Sequence, residues 1–189
     1  IPWVTRAPDN VATPSPTPTA RPLNLPPLGR FAFQSDRDGG FEIYVMNADG
    51  ANPIRLTISA DYDGEPVWSP DGSKITFVSR RTGNYRLWMM NADGSGQVML
   101  SNQNYSANPA WSPDGTKIAF TSIRNNTGRP RVYIINLADN AVTRISLQFS
   151  YDRQPAWSPD GNKIAFVTTQ KGPVQIWTMN PDGSEQTLF

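Results

Sequence analysis

The pentapeptide Trp-Ser-Pro-Asp-Gly recurs three times in this chain, and its spacing limits the folds that the chain can adopt. Its copies begin at Trp68, Trp111 and Trp157, which are 43 and 46 residues apart. An apolar-x-Phe triplet follows each copy, and a fourth triplet stands at Phe31–Phe33. A period of this length with short strands in each unit indicates a β-propeller or another β array.

The local sequence of each repeat predicts four strands, which we name a, b, c and d in chain order. Pro70 and Gly72 in the first Ser-Pro-Asp-Gly suit a type I turn between strands a and b. A second turn sequence, Asn-Ala-Asp-Gly, begins at Asn47 and Asn91 and separates strands c and d. The runs between these turns are rich in β-branched and aromatic residues, which is typical of strands.

One four-stranded sheet cannot cover both of its faces, whereas sheets stacked around an axis cover one another. The sequence therefore predicts an all-β fold, a β-propeller of four-stranded antiparallel blades with four repeats in this chain. The predicted blades span about residues 30–60, 61–103, 104–148 and 149–189. The first repeat lacks its strand a.

An extended Pro/Thr-rich segment precedes the repeats and is predicted to be a linker at residues 7–29. Seven of residues 7–28 are proline, which fixes φ and removes a backbone donor. Alternating Thr/Ser-Pro is also the composition of O-glycosylated stalks, and an unmodified spacer is the alternative. The candidate glycosylation residues are Thr13, Ser15, Thr17 and Thr19 in this segment, with Asn104 and Asn125 in Asn-x-Ser/Thr triplets.

Residues 1–6 form a short β-prone segment that is a candidate for the missing strand. Its partner-binding residues are predicted to be Ile1, Pro2, Trp3 and Val4. The segment completes a blade either within the chain or in another copy, and head-to-tail donation between copies builds an open filament. Trp3 follows Pro2 directly, whereas Trp68 stands two residues after its proline, which is a one-residue difference in register. A frayed tail, or a fragment of a larger ring, is the alternative.

Composition argues against several classes of function. The net charge of +1 does not predict binding to nucleic acid or to an anionic membrane. The chain has no His and no Cys, which removes most hydrolase triads and most zinc sites. No apolar run approaches the roughly 20 residues of a membrane span. We therefore predict no enzymatic activity, no cofactor and no membrane insertion.

One face of a propeller collects the b–c loops and the d–a loops, and it is the predicted partner surface. The b–c loops supply Arg37, Arg80 and Arg124. The predicted d–a loops supply Tyr62, Asp63, Tyr105, Tyr151 and Asp152. Mixed charges with periodic Tyr suit a protein partner, and solvated loops with ordinary turn chemistry are the alternative. The periodic Trp68, Trp111 and Trp157 are interpreted as packing between blades.

The pattern PxWSPDGxKIAFxS, followed by IYxMNADGS and a final Leu-Thr, resembles the TolB-type propeller repeat over residues 30–189. The resemblance implies a bacterial, often periplasmic or exported, propeller that binds protein. Rings of this family usually have six or seven blades, and this chain has four repeats. Related peptidases carry a separate hydrolase domain, and related lyases hold a metal through His, so neither activity is carried over.

The sequence thus favours a non-enzymatic, exported structural or protein-interaction module of extracellular or periplasmic location. In a more specific form of this hypothesis, the module self-associates into a homo-oligomer or a fibre whose subunits are joined by N-terminal strand donation. The alternative is a ligand-binding or sensor ectodomain of a membrane-anchored bacterial protein, with the Pro-rich segment as a stalk.

Overall fold

A computed structural model describes residues 29–103, 105–124, 128–147 and 151–189. These residues form fifteen β-strands, and no helix occurs among them. The all-β prediction is therefore confirmed for the repeats. The predicted strand at residues 1–6 and the predicted linker, apart from Gly29, lie outside the described residues and remain predictions.

The strands form four antiparallel sheets, and within each sheet the neighbours in sequence are neighbours in space. The first sheet has three strands, which correspond to b, c and d, and each of the other three has four. The strands are β1 Arg30–Ser35, β2 Glu42–Asn47, β3 Ile54–Arg55, β4 Asp63–Trp68, β5 Lys74–Ser79, β6 Arg86–Asn91, β7 Val98–Met99, β8 Tyr105–Trp111, β9 Lys117–Ile123, β10 Arg131–Asn136, β11 Val142–Arg144, β12 Asp152–Trp157, β13 Ile164–Thr168, β14 Gln175–Met179 and β15 Thr187–Leu188.

The Ser-Pro-Asp-Gly turn joins strands a and b through hydrogen bonds that recur in the three four-stranded sheets. In the third sheet the Gly115 N–H donates to the Ser112 carbonyl at 2.9 Å, and Gly115 has a φ of 71°. The Ser112 hydroxyl donates to the Asp114 carboxylate at 2.5 Å and accepts the Lys117 N–H at 2.9 Å. That serine hydroxyl is the main reason why the pKa of Asp114 lies below its ordinary value.

Three hydrophobic cores lie between consecutive sheets and hold the sheets together. Each core packs aliphatic side chains from strands b and c of one sheet against aromatic and aliphatic side chains from the next. Between the third and fourth sheets, for example, Val132 and Ile134 share a core with Phe166 and Trp177. Trp68, Trp111 and Trp157 each pack against one of the three cores, which confirms their interpretation as packing residues.

The same cross-strand pair recurs in every sheet between strands b and c. The phenylalanine of strand b lies opposite an aromatic residue of strand c, because side chains on one face alternate with a period of two. The pairs are Phe33–Tyr44, Phe77–Trp88, Phe120–Tyr133 and Phe166–Trp177.

Strand a contains a bulge before its proline, and this bulge places one residue in a left-handed conformation. Glu65, Asn108 and Gln154 have φ values of 53°, 52° and 52° at equivalent positions. A side chain of the preceding sheet accepts the backbone N–H of each one. Gln34 accepts it from Glu65 at 2.8 Å, Glu65 from Asn108 at 2.5 Å, and Thr121 from Gln154 at 3.0 Å.

Replacing Phe120 by Ala should destabilise the protein by about 3–5 kcal/mol, because the ring is fully buried between two sheets and its loss leaves a cavity. The free energy of unfolding in urea measures this loss. Phe189→Ala is the matched control, because that ring is 88% exposed and its removal should change stability little. Equal losses for the two variants would contradict the described core.

Candidate interaction surface

Each sheet places one cationic side chain of its b–c loop over the aromatic ring of strand c. The cation lies 4.6–5.2 Å from the ring centroid, which is within the range of a cation–π interaction. The four pairs are Arg37–Tyr44, Arg81–Trp88, Arg124–Tyr133 and Lys171–Trp177. Arg37 and Arg124, two of the predicted partner-binding residues, therefore each have an intramolecular role.

Asp63, Tyr105 and Asp152 are the first residues of β4, β8 and β12, so the prediction that they lie in loops is wrong. Strand a begins earlier than its proline suggests, because the bulge lets the chain continue pairing with strand b on both sides of the left-handed residue. Asp63 and Asp152 are 0% and 1% exposed. Their carboxylates are therefore buried inside the propeller and are not part of a surface that a partner could contact.

Asp63 forms a buried ion pair with Arg81 at 2.6 Å. Arg81 also bonds to the Ser79 hydroxyl at 2.9 Å and to Gln97 at 2.5 Å. Burial raises the pKa of Asp63, and the neighbouring Ser79 and Arg81 oppose this rise without cancelling it. The arginine thus favours the ionised form of a carboxyl group in a place that disfavours charge.

Arg37 occupies the same position in the first sheet and has no carboxylate partner among the described residues. Its Nε bonds to the Ser35 hydroxyl at 3.0 Å, as Arg81 does to Ser79. Its guanidinium lies 5.2 Å from the centroid of Phe33 and 4.9 Å from that of Tyr44. The residue that would correspond to Asp63 belongs to strand a, and the part of the first sheet that the structure describes has no such strand.

A row of four aromatic rings crosses the same face of the propeller, and we call Phe41, Tyr62, Tyr85 and Tyr105 the aromatic row. Neighbouring ring centroids are 5.8, 5.6 and 6.0 Å apart in that order. Phe41 and Tyr85 each stand directly before strand c of their sheet. Tyr62 stands directly before strand a of the second sheet, and Tyr105 is the first residue of strand a of the third sheet. The row therefore links loops that come from three sheets.

The rings of the aromatic row are fixed by backbone contacts between sheets. The Asp63 N–H donates to the Phe41 carbonyl, and the Ser106 N–H donates to the Tyr85 carbonyl, each at 2.8 Å. The Tyr62 ring lies over Gly64, where a Cβ atom would clash with the ring, so only glycine fits there. Phe41 and Tyr85 nevertheless remain 42% and 37% exposed. The row is a partly apolar surface that solvent reaches.

Two more of the predicted partner residues, Arg80 and Tyr151, take part in cation–π contacts. Arg80 lies 6.0 Å from the centroid of Tyr85, and Arg129 lies 5.4 Å from that of Tyr151, which is 44% exposed. Of the predicted set, the structure thus brings Tyr62, Arg80 and Tyr105 together. The candidate residues Ile1, Pro2, Trp3, Val4, Thr13, Ser15, Thr17, Thr19, Asn104 and Asn125 lie outside the described residues.

A cavity of about 390 Å³ at the opposite end of strand a is lined by Trp68, Trp111 and Trp157 with neighbouring prolines. The indole N–H of Trp157 donates to the Ala110 carbonyl of the preceding sheet at 3.1 Å. The buried indole N–H of Trp68 has no partner, and the same is true of Trp111.

Comparison with known proteins assigns these repeats to a family. The family model described as the TolB beta propeller domain matches residues 10–108 and 96–188. The chain belongs to the TolB β-propeller domain family. Within the described residues, no group of three or more acidic, His or Cys side chains is placed to hold a metal ion. No helix there is long and apolar enough to cross a membrane.

Individual relatives agree with this assignment. The Tol-Pal system protein TolB of Desulfosudis oleivorans is 46% identical over 43 residues, which are 23% of this chain and 10% of the relative. The putative TolB of Agrobacterium tumefaciens has a TM-score of 0.75 at 25% identity and covers 85% of this chain. TolB of Acinetobacter baumannii has a TM-score of 0.71 at 23% identity over 85% of this chain. The chain spans 60% and 41% of these two structures.

The same fold also occurs in an enzyme. An oligogalacturonate lyase in complex with manganese has a TM-score of 0.64 at 19% identity, and it covers 85% of this chain. This likeness concerns the fold alone.

Arg81→Gln should cost about 1–3 kcal/mol at neutral pH, because it leaves the buried Asp63 carboxylate without its cation. The pKa of Asp63 would rise further above its unfolded value of about 3.9. An acid with a raised folded pKa loses stability as pH increases above that unfolded value. The destabilisation should therefore be larger near neutral pH than at acidic pH where Asp63 is protonated.

The free energy of urea unfolding, measured for this variant at about pH 7 and below about pH 3.9, checks the expectation. Arg37→Gln is the matched control, because Arg37 makes the same serine and aromatic contacts without a carboxylate partner. Its effect should depend far less on pH. The same pH dependence in both variants would show that the ion pair is not the cause.

Proposed function

We propose that this chain is a non-enzymatic, exported propeller module that binds protein by adding an extended strand to its first sheet. The observation that carries this proposal is the unpaired edge of β1. The other three sheets have a strand a at this edge, and the first sheet has none among the described residues. An unpaired edge of this kind is a template for another strand.

The hydrogen-bond register identifies the backbone groups that face the unpaired edge. The Ala48 N–H donates to the Gly29 carbonyl, so Gly29 and every second residue after it bond toward β2. The backbone groups of Arg30, Ala32 and Gln34 therefore point away from β2. Their counterpart in the second sheet, Lys74, offers its carbonyl to the Ser69 N–H at the end of strand a at 2.9 Å.

The proposed donor is residues 1–6 of a second copy of the chain. The Pro-rich spacer of some 20 residues reaches about 60–70 Å in polyproline geometry, which is enough to enter a neighbouring subunit. Donation from each copy to the next is a heterologous contact, so it propagates into an open fibre unless the rotation closes a ring. The family assignment supports protein binding and an exported, extracellular or periplasmic location.

A ligand-binding or sensor ectodomain is the second candidate, and the exposed aromatic row favours it. Phe41 and Tyr85 offer an apolar surface that does not depend on the edge of β1. In this case the propeller would act as a monomer that binds its ligand on the loop face.

Deleting residues 1–6 should reduce the assembled particle to the mass of one chain, because it removes the donated strand and leaves every described strand intact. Sedimentation or light scattering gives the particle mass. Replacement of residues 7–12 by a Gly/Ser segment of equal length is the matched control, because it keeps the length of the spacer and should preserve assembly. A particle mass that is the same for the full chain and for the first deletion would refute strand donation.

A further inference from the structure

The aromatic row is partly exposed, most of all at Phe41 and Tyr85, although its members pack against each other. Three centroid steps of 5.6–6.0 Å join rings from the first, second and third sheets into a continuous track. Two successive turns of a polyproline helix, about 19 Å long, match this track in length. Grooves lined by aromatic side chains are one of the recurring binding sites for proline-rich segments in that conformation.

The polar groups of the row suit a backbone without internal hydrogen bonds. A polyproline helix makes no such bonds, so its carbonyls need donors from a partner or from water. Among the described residues, the hydroxyls of Tyr85 and Tyr105 have no hydrogen-bond partner. Burial raises the pKa of Tyr105, which keeps its hydroxyl protonated and able to donate. The row thus combines ring faces for proline with donors for carbonyl oxygen.

This chain carries a segment with the matching chemistry. Residues 13–19 read Thr-Pro-Ser-Pro-Thr-Pro-Thr, which favours the polyproline conformation and contains no charge. Seven residues make just over two turns. We infer that this Thr-Pro segment docks on the aromatic row of its own chain.

The connection is long enough for this contact. The row lies at the Ser35 end of the first sheet, because Phe41 immediately precedes Glu42, the partner of Ser35. The chain enters β1 at its other end, and a six-residue strand is about 20 Å long. Residues 20–28 reach about 28 Å in polyproline geometry. The segment returns to the row, and residues 1–12 remain free to extend beyond it.

Ring-current shifts in the NMR spectrum of the full, unmodified chain test this inference. Protons of Pro14, Pro16 and Pro18 that lie over aromatic rings should be displaced upfield from their positions in a synthetic peptide of residues 13–19. Tyr85→Ala should abolish much of this displacement. Phe189→Ala, which removes an exposed ring that is not in the row, should preserve it.

A second pair of variants keeps the propeller unchanged. Joint replacement of Pro14, Pro16 and Pro18 by Ala should shift the ring resonances of Phe41 and Tyr85. Joint replacement of Pro26 and Pro27 by Ala is the control and should not. Proline shifts in the full chain that equal those of the free peptide would overturn the inference.

A chain lacking residues 1–6 still contains the Thr-Pro segment. It should therefore keep the proline shifts whether or not strand donation occurs. The two proposals thus fail independently.

Discussion

The structure depends on contact between the faces of consecutive sheets. Every sheet has apolar side chains on both faces, because the phenylalanine of strand b and its neighbours point to opposite sides of the sheet. A sheet of this composition is unstable in water by itself, and each core between two sheets removes one apolar face of each sheet from solvent. The turns, the bulges and the loop contacts all rely on the distance and angle that these cores set.

The loop face follows from the same packing. Because strand c begins next to the strand a of the following sheet, the Phe41 carbonyl meets Asp63, and the Tyr85 carbonyl meets Ser106. These contacts bring aromatic rings from different loops into one row. The cation of each b–c loop lies over the ring of its own strand c, which ties the loop to the face that carries the row. The packing of the sheets thus determines which aromatic side chains lie together on the loop face.

Much of the fold was predictable from the sequence, because turn chemistry and strand propensity agree in each repeat. Trp68 and Gly72 stand at fixed sequence distances from the strands on either side of their turn. The spacing of the repeated pentapeptide therefore predicted where each sheet lies in the sequence. The start of strand a was not predictable in the same way. Asp63 lies before a left-handed Glu65 and a proline, two features that normally end a strand, and only the pairing across the bulge shows that the strand continues.

The candidate site was predicted less well, for a related reason. The loop arginines were interpreted as surface charge, since the sequence does not show that Arg37 and Arg124 lie over rings of their own sheets. The aromatic row joins residues whose separation in sequence varies. Phe41 and Tyr62 belong to different loops, and their contact depends on how two sheets meet. The periodic tyrosines indicated that aromatic residues lie on the loop face, but not that their rings contact one another in a continuous row.

The left-handed residue of strand a has a consequence for how such a chain evolves. Its N–H is accepted by strand b of the preceding sheet where that strand supplies Gln34 or Thr121, but the second sheet has Val78 at this position, and Glu65 accepts the N–H instead. Glutamate at 65 and valine at 78 thus form a compensating pair within one repeat. Valine placed alone at position 34 or 121 would leave the N–H of Glu65 or Gln154 without its side-chain acceptor, so these repeats are related modules that cannot be shuffled freely.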